Sequence, residues 1–527
     1  MAFWKNTAQQ ITLNDSANNL TDRERQFLEK SWAIPFSEHY FKQINEGRFS
    51  VLYSDNPASR PNTPINVIVG MLIIKEMRGL TDEECVEALL FDISVQRALH
   101  TTSCEEQPIS DRTLSRFREK CERYYQETGI DLIKEEIKAL AAHQAQLQNI
   151  SPALKRMDSL MIDSSCKKMS RLELLYTIVR NAVEEFIKAK AAGHLDDRLK
   201  QYAKEGDKNS VCYRLDKDQV SSKLDEVVKD AVKIREIFEQ VFPDTLDESK
   251  EYQLLVRMLT EQTKEKDGET VLKPGKDIST DSLQNPSDED ATFRNKAGKN
   301  HKGYVGNVVE TCDDNGNVIT DFDLQPNTYS DEQFATDVIE SLGKDSGTEA
   351  LTTDGAYVSA ETIKQAEENG IELVSGKLTG PQTNPIIGEF KIDEDTGEII
   401  ECPAGHMPIS SKYNETTGVA TAHFGLSDCE CCPYREQCVA KEQKKSAVVK
   451  ITGKQIIRAK QAKKMGEEKY KTIINKRNGV EGLPSLLRRM YNVDNMPIRG
   501  LVRAKIWFAL KIAAINSRRL INAMTMS

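Results

Sequence analysis

Three acidic residues fall where a protein could hold divalent metal ions. Asp158 lies in a stretch that alternates like a strand, Asp354 follows a short apolar segment, and Glu481 lies in a basic helical region near the C-terminus. Strand ends and a facing helix can bring three carboxylates to one point. Mg²⁺ takes carboxylate and phosphate oxygens, and two such ions catalyse in-line phosphoryl transfer. The trio therefore points to phosphoryl transfer, although 82 acidic residues offer many trios by chance.

The cysteines suggest a second metal. Of 11 cysteines, four form the pattern Cys-x26-Cys-x2-Cys-x5-Cys. Thiolates two residues apart, with two more nearby, predict a tetrahedral structural zinc site. Reduced thiols packed in a small β subdomain and a redox pair are the alternatives, and Cys431 or His406 could replace one ligand. The four predicted ligands are Cys402, Cys429, Cys432 and Cys438.

The charge of the chain is divided unevenly. Residues 441–527 carry 21 Lys+Arg against 5 Asp+Glu, a net charge of +16, whereas the whole chain of 527 residues carries −10. A basic segment of this kind suits a polyanion, and Lys444 and Lys445 are candidates to contact DNA phosphates without reading sequence. The alternative is a solvated basic helix face.

Composition and motifs exclude several classes of protein. Its length of 527 residues predicts two to four domains or one enlarged core with insertions, and 39% hydrophobic with 29% charged residues excludes wholesale disorder. No signal peptide or transmembrane run is visible, which predicts a cytoplasmic protein, associated with the nucleoid when bound to DNA. Walker, Rossmann and His-Glu-x-x-His motifs are absent, so no nucleotide cofactor is expected.

Residues 64–140 read as short helices. Gly79 should end the first, and Thr81 with Glu84 forms a capping box for the next. Ser110 or Asp111 should begin a third helix, which carries Arg112 and Arg116. Arginines on closely spaced helices suit a helix-turn-helix-like DNA-binding module, although packed helices without that function look the same.

The middle of the chain predicts a mixed sheet flanked by helices. Residues 156–164 alternate as a strand, with Asp158 on one face and Asp163 on the other. After a helical stretch and a polar loop, Asn315-Gly316 should turn a hairpin. Trp507 and Phe508 read as core residues rather than base-stacking platforms. The remaining predicted segments are helix 170–265, loop 267–300, strands 301–312 and 318–324, helix 331–342, strand 349–353, helix 359–369, strand 371–375, short strands over 388–440, and helices after 451.

Four regions in order resemble bacterial insertion-sequence transposases of the DDE superfamily. Residues 351–357 (LTTDGAY), followed by 372–374 (ELV) and 378–380 (LTG), resemble the second-aspartate region. Residues 477–481 (RNGVE) and 487–489 (LRR) resemble the glutamate region, with Ile474 in place of the usual tyrosine. Residues 158–172 resemble the first-aspartate segment, and residues 64–120 resemble the N-terminal domain.

This resemblance implies an α/β fold: an RNase H-like core, an all-α N-terminal domain, a helical insertion and a small cysteine-rich β insertion. It implies that Asp158 (rather than Asp163), Asp354 and Glu481 bind two Mg²⁺, for which Mn²⁺ can substitute. Arg477, Arg488 and Arg489 would contact DNA phosphates. The expected domains are 1–150 (DNA-binding), 151–387 (core with insertion 170–265), 388–450 (cysteine-rich) and 451–527 (helices with the glutamate).

The implied function is a DNA transposase. Such a protein would bind the terminal inverted repeats of its element, cleave the strands with Mg²⁺ and transfer them to target DNA, as a homodimer on DNA. One alternative is a catalytically inactive or domesticated DNA-binding relative. A nuclease of the same fold that cuts without joining is another.

Overall fold

The structure is a computed structural model of the chain. It describes residues 1–525 apart from 8–14, 57, 105, 111, 297, 345, 377, 379–382 and 394, and for residues 217, 477, 478 and 481 it describes the backbone alone. Asp111, Thr379 and Gly380 thus lie outside the described residues. So do the side chains of Arg477 and Glu481.

The N-terminal region is helical, as predicted. The capping box of Thr81 and Glu84 is formed, and Gly79 ends the preceding helix at a φ of 75°. The arginine-bearing helix begins at Thr113, two or three residues later than expected, and an additional short helix precedes it. The helices are α1 (Asp22–Glu29), α2 (Ala33–His39), α3 (Ile65–Arg78), α4 (Asp82–Phe91), α5 (Ile93–Ala98), α6 (Thr113–Thr128) and α7 (Leu132–Leu147).

The first strand of the core is followed by a helical insertion with a hydrophobic core of its own. Strand β1 spans Leu154–Asp163. The insertion buries residues such as Leu175, Phe186, Phe238 and Leu255 against one another, which confirms the predicted helical stretch. Its helices are α8 (Arg171–Lys188), α9 (Asp197–Gln201), α10 (Asp207–Cys212), α11 (Lys217–Val241) and α12 (Lys250–Gln262).

The segment expected to be a loop, 267–300, contains strands, so that prediction was wrong in part. Its strand β4 is short and polar, and half of it is exposed, so no apolar alternation reveals it. The hairpin at Asn315-Gly316 is confirmed, with longer strands than predicted. The strands are β2 (Thr263–Lys266), β3 (Glu269–Leu272), β4 (Thr292–Lys296), β5 (Lys299–Asp313) and β6 (Gly316–Pro326).

The second half of the core alternates helices and strands. These are α13 (Asp331–Leu342), β7 (Ala350–Thr353), α14 (Ala360–Glu368) and β8 (Glu372–Ser375). The main sheet has the order β4-β5-β1-β7-β8. β4 pairs with the first part of the long strand β5, and β6 pairs with the rest of it. β1 runs antiparallel to β5 and parallel to β7, and β7 runs parallel to β8. This mixed sheet confirms the predicted α/β fold with an RNase H-like core.

The cysteine-rich region is a small β structure, and the chain ends in long helices. The strands are β9 (Lys391–Ile392), β10 (Ile399–Glu401), β11 (Ser410–Asn414), β12 (Val419–Phe424), β13 (Lys441–Glu442) and β14 (Ala447–Thr452). The helices are α15 (Leu426–Glu430), α16 (Gly453–Met465), α17 (Glu468–Tyr491) and α18 (Leu501–Thr525).

An apolar core packs against each face of the main sheet. On one face, Leu160 and Val308 share a core with the N-terminal helices, α17 and α18, and Trp507 and Phe508 are buried there as predicted. On the other face, Met157 packs with α13 and α14. None of the described helices is long and apolar enough to span a membrane.

Candidate active site

Two of the predicted carboxylates lie on neighbouring strands at the same level. In the parallel pair, Arg156 of β1 is the partner of Thr352 of β7. β7 ends at Thr353, and Asp354 follows it directly in an extended conformation. Continued by two residues, the register would set Asp354 level with Asp158. Residues two apart in a strand project from the same face, so both aspartates follow the same side of the sheet as Arg156 and Thr352.

The helix with the third carboxylate crosses that side of the sheet. Helix α17 contacts β1, β7 and β8. Its Val480 and Leu483 share a core with Leu160, which lies two residues after Asp158 on the same face of β1. Glu481 follows Val480 directly in the helix, and its side chain lies outside the described part of the chain. The backbone thus brings the three predicted positions to one side of the sheet.

Each aspartate accepts a hydrogen bond from the backbone amide of the next residue. Asp354 caps a short 3₁₀ turn, accepts a 2.6 Å bond from the Gly355 amide and is exposed. Asp158 accepts a 2.8 Å bond from the Ser159 amide and is half-buried. An exposed carboxylate just after the end of β7 and a half-buried one in the middle of β1 are oxygen donors of the kind that Mg²⁺ takes.

Another acidic side chain, Asp331, lies against Ser159 on the opposite face of β1 and was not singled out by sequence reasoning. It is buried and accepts a 2.8 Å bond from Ser159 Oγ. Burial raises the pKa of Tyr357 well above its usual value, and the negative charges of Asp331, Asp158 and Asp354 raise it further. Asp331 begins a helix, where an acidic residue is ordinary, so its sequence carried no functional signal.

Asp163, the alternative candidate for the first carboxylate, is hydrogen-bonded to two side chains at the C-terminal end of β1. It accepts bonds from Lys168 Nζ at 2.9 Å and from His301 Nδ1 at 3.1 Å. Burial alone would raise its pKa, but these two hydrogen bonds outweigh burial and hold the pKa below its usual value. Its register partner is Gly303 of β5, five positions from the level of Asp158. This placement favours Asp158.

A buried charge network ties the glutamate helix to the aspartate strand. Arg156 donates from Nη1 to the Lys476 carbonyl of α17 at 2.8 Å and from Nε to Glu310 at 2.5 Å. Arg519 of α18 forms an ion pair with the other oxygen of Glu310 at 2.6 Å, and Glu310 is completely buried. The guanidinium of Arg156 also lies against the backbone of Gly479. Arg156 therefore fixes α17 one turn before Glu481.

The helix is also irregular on the other side of Glu481. Pro484 lies inside α17. Proline has no amide hydrogen, so the carbonyl of Val480 loses its helical bond and the helix loosens there. Glu481 therefore lies between a helical turn that is held by Arg156 and a turn that lacks a hydrogen bond because of Pro484.

The predicted DNA-binding residues are spread over three surfaces. Arg112 and Arg116 are exposed on and beside α6, Lys444 and Lys445 are exposed between β13 and β14, and Arg489 is exposed on α17. Arg488 donates to Asp494 at 3.2 Å but stays 40% exposed.

Part of the basic segment is neutralised within the chain. Glu372 pairs with Lys464 and Lys469, and Glu389 pairs with Lys463. Fewer lysines are thus left for a polyanion than the net charge suggests.

The four predicted zinc ligands line one small cavity. It measures about 20 Å³, and His406 and Asp428 also border it. Burial raises the pKa of Cys429, and the charges of the other three cysteines raise it further. The neighbouring Cys431 is exposed and does not line the cavity.

All eleven cysteines are free thiols. Among the residues that the structure describes, no three His, Cys, Asp or Glu side chains are placed to hold a metal ion. For the carboxylate site, that search leaves out Glu481.

Comparison with known proteins gives two family matches. Residues 401–521 match the model of the family described as "Transposase DDE domain", and residues 25–120 match "Transposase domain (DUF772)". The first match contains Glu481 and the four cysteines, whereas Asp158 and Asp354 precede it. No curated protein and no solved structure matches the chain.

Proposed function

We propose that the chain is a DDE-type transposase of the bacterial insertion-sequence kind, with an N-terminal transposase domain, that cleaves the ends of its own element and joins them to target DNA; the two family matches support this. The observation that carries the proposal is the register of β1 and β7, which pairs Arg156 with Thr352 and, continued by two residues, sets Asp354 level with Asp158 on the side of the sheet that α17 crosses.

Asp158, Asp354 and Glu481 are proposed to hold two divalent ions, Mg²⁺ or in its place Mn²⁺. The carboxylates fit this role, because they are hard oxygen donors and Asp354 is exposed. Such ions would activate water, and later a DNA 3′-hydroxyl, and would steady the leaving oxygen. The β1–β7 register positions the two aspartates, and the hydrogen bond from Arg156 to α17 positions the helix that carries Glu481.

The basic side chains are proposed to bind the DNA. Arg477, Arg488 and Arg489 lie on the glutamate helix, where they would neutralise phosphates beside the reacting bond. Lys444 and Lys445 would contact phosphates further away. Arg112 and Arg116 would take part in binding the terminal inverted repeats, because they are exposed on a helical domain that matches a transposase family. A homodimer that bridges two ends is part of the same proposal.

Two strand aspartates provide a matched test. We expect Asp158→Asn to abolish cleavage of DNA that carries the flanking repeats of the encoding locus, whereas Asp163→Asn should retain cleavage. Both variants remove one charge from the same strand, and Asp163 contacts Lys168 and His301 instead of facing Asp354. The opposite pattern would move the first ligand to Asp163. Tight DNA binding without any cleavage by the native chain would favour the inactive DNA-binding relative.

Structural zinc is proposed for Cys402, Cys429, Cys432 and Cys438. The support is that all four line one small cavity. Zinc would have to draw the thiols together, since no three of them form a metal-binding group in their described positions. Metal analysis of the purified chain should find one zinc ion per chain, lost in Cys432→Ser and kept in Cys431→Ser, whose side chain lies outside the cavity. A native chain without zinc would leave the thiols as packed, reduced side chains.

A further inference from the structure

A cleft opens where the helical insertion meets the core. It has a volume of about 390 Å³ and lies between the start of α8 and the strands β4 and β5. Its lining includes two cations, Arg171 and Lys302, together with several hydroxyl groups. The described lining residues include no aspartate or glutamate, so the cleft is positively charged. The hydroxyl-bearing side chains at the cleft are Ser170, Ser279, Thr280 and Ser282.

Both cations of the cleft are half-buried, and each bonds to neutral oxygens. Arg171 donates from Nε to Gln262 Oε1 at 2.9 Å and from Nη2 to the Gln262 carbonyl at 3.1 Å. Lys302 donates from Nζ to the Met169 carbonyl at 3.0 Å. Within the described part of the chain neither side chain forms an ion pair. The nearby Lys168 is already paired with Asp163 at 2.9 Å.

Partial burial disfavours the charges of both cations. Burial lowers the pKa of Arg171, and burial together with the charge of Lys168 lowers the pKa of Lys302. Half-buried charges are ordinarily compensated by an opposite charge. The N-terminus of α8, an 18-residue helix capped by Ser170, adds positive potential at the same place. Two uncompensated cations and a helix N-terminus around an open cleft are the features of a phosphate site.

The position of the cleft relates it to the carboxylates. Lys302 precedes Val308, the strand partner of Asp158, by six residues of β5. At about 3.4 Å per residue this is roughly 20 Å along the strand. B-DNA rises about 3.4 Å per base pair, so the same length spans about six base pairs. A duplex cut at the carboxylates could therefore reach the cleft with its backbone.

We propose that this cleft between the insertion and the core binds a backbone phosphate of the DNA at least about six base pairs from the cleaved bond, through Lys302, Arg171 and the start of α8. This assignment rests on the proposed transposase function. It gives the helical insertion a role in holding the substrate. The contact carries no sequence information, because it is made to phosphate.

The salt dependence of DNA binding tests the proposal. The full-length chain is titrated by fluorescence anisotropy with a duplex that carries a flanking repeat, between about 50 and 200 mM NaCl. We expect Lys302→Gln to reduce the slope of log Kd against log salt by about 0.9 and to weaken binding equally for unrelated DNA. Lys302→Arg should keep the native slope, because it keeps the charge. Lys223→Gln, on the exposed face of the insertion and paired with Glu226, is the matched control.

The outcomes separate this inference from the proposed function. If the native chain does not bind the duplex, the proposed function fails. If it binds with a steep salt slope that Lys302→Gln leaves unchanged, the cleft assignment alone is overturned. A free anion is distinguished with inorganic phosphate: if phosphate raises the Tm of the native chain but not of Lys302→Gln while the DNA slope stays native, the cleft binds free phosphate and the DNA assignment is wrong.

Discussion

Two glycines of helix α17 test whether Arg156 clamps the glutamate helix. A Cβ at Gly479 would lie 2.0 Å from Arg156 Nη1, whereas a Cβ at Gly482 would meet no described atom within 4 Å. Glycine in a helix interior is about 1 kcal/mol less favourable than alanine. Gly482→Ala should therefore stabilise the chain by up to ~1 kcal/mol. Gly479→Ala offers the same gain but displaces the guanidinium.

The size of that displacement sets the cost. To reach ordinary contact at 3.4 Å, Nη1 must retreat by at least 1.4 Å, which breaks its 2.8 Å bond to the Lys476 carbonyl. A hydrogen bond from a charged donor contributes about 1.5–3 kcal/mol. Gly479→Ala should thus be less stable than Gly482→Ala by about 2 kcal/mol, and the sign of its effect should be opposite.

A double-mutant cycle in urea unfolding isolates the contact. In an Arg156→Met background the clash disappears, so Gly479→Ala should then stabilise as much as Gly482→Ala does. Arg156→Met alone should cost about 3 kcal/mol, because among the described side chains buried Glu310 then keeps Arg519 alone as an ion-pair partner. The clamp is refuted if Gly479→Ala stabilises the native chain, or if its effect is the same with and without Arg156.

Three further predictions concern charge. Asp354→Asn should abolish cleavage and leave Kd for DNA within a few fold, since it alters the carboxylates and not the basic surfaces; loss of binding in anisotropy titrations would count against the site. Arg112→Ala with Arg116→Ala should weaken binding of repeat DNA without lowering Tm, because both side chains are exposed; unchanged affinity for the repeats would exclude this helix from recognition. Lys155 has its pKa lowered to about 8 by burial, below about 10.4 in the unfolded chain. The unfolded chain therefore binds more protons between those values, and stability rises with pH through that window. Below pH 8, burying the charged amine of Lys155 destabilises the folded chain by about 3 kcal/mol. Lys155→Met removes this cost but also loses the hydrogen bond to Thr311, worth about 1 kcal/mol. The variant should therefore be more stable than the native chain by about 2 kcal/mol at pH 7. This gain should vanish near pH 10, and an equal gain at both pH values in urea unfolding would contradict the assignment.

Local signals in the sequence predicted most of the elements. The capping box at Thr81, the alternation of β1 and the Asn315-Gly316 turn each depend on residues close together in the chain, and each is formed. β4 escaped prediction because only its first residue is buried, so its sequence reads as a polar loop.

The sequence predicted which residues form the candidate site, but not the contacts that position them. The register that sets Asp158 beside Asp354 joins strands nearly 200 residues apart in the chain, which no local pattern encodes. Arg156 and Glu310 lie in strands, where charged residues read as solvent-facing, yet they form a buried network between β1, β5 and α17. The cleft at Lys302 could not be predicted either, because it forms only when the insertion packs against the core.

The most direct test is strand cleavage and joining by the purified chain on DNA that carries the flanking repeats of its locus. Native chain and Glu481→Ala are compared with Mg²⁺ and with EDTA, and joined products are resolved by gel electrophoresis. We expect joined products from the native chain with Mg²⁺, and none with EDTA or from Glu481→Ala. Joining by Glu481→Ala at the native rate would contradict the three-carboxylate site, and cleavage without joined products from the native chain would identify a nuclease of the same fold.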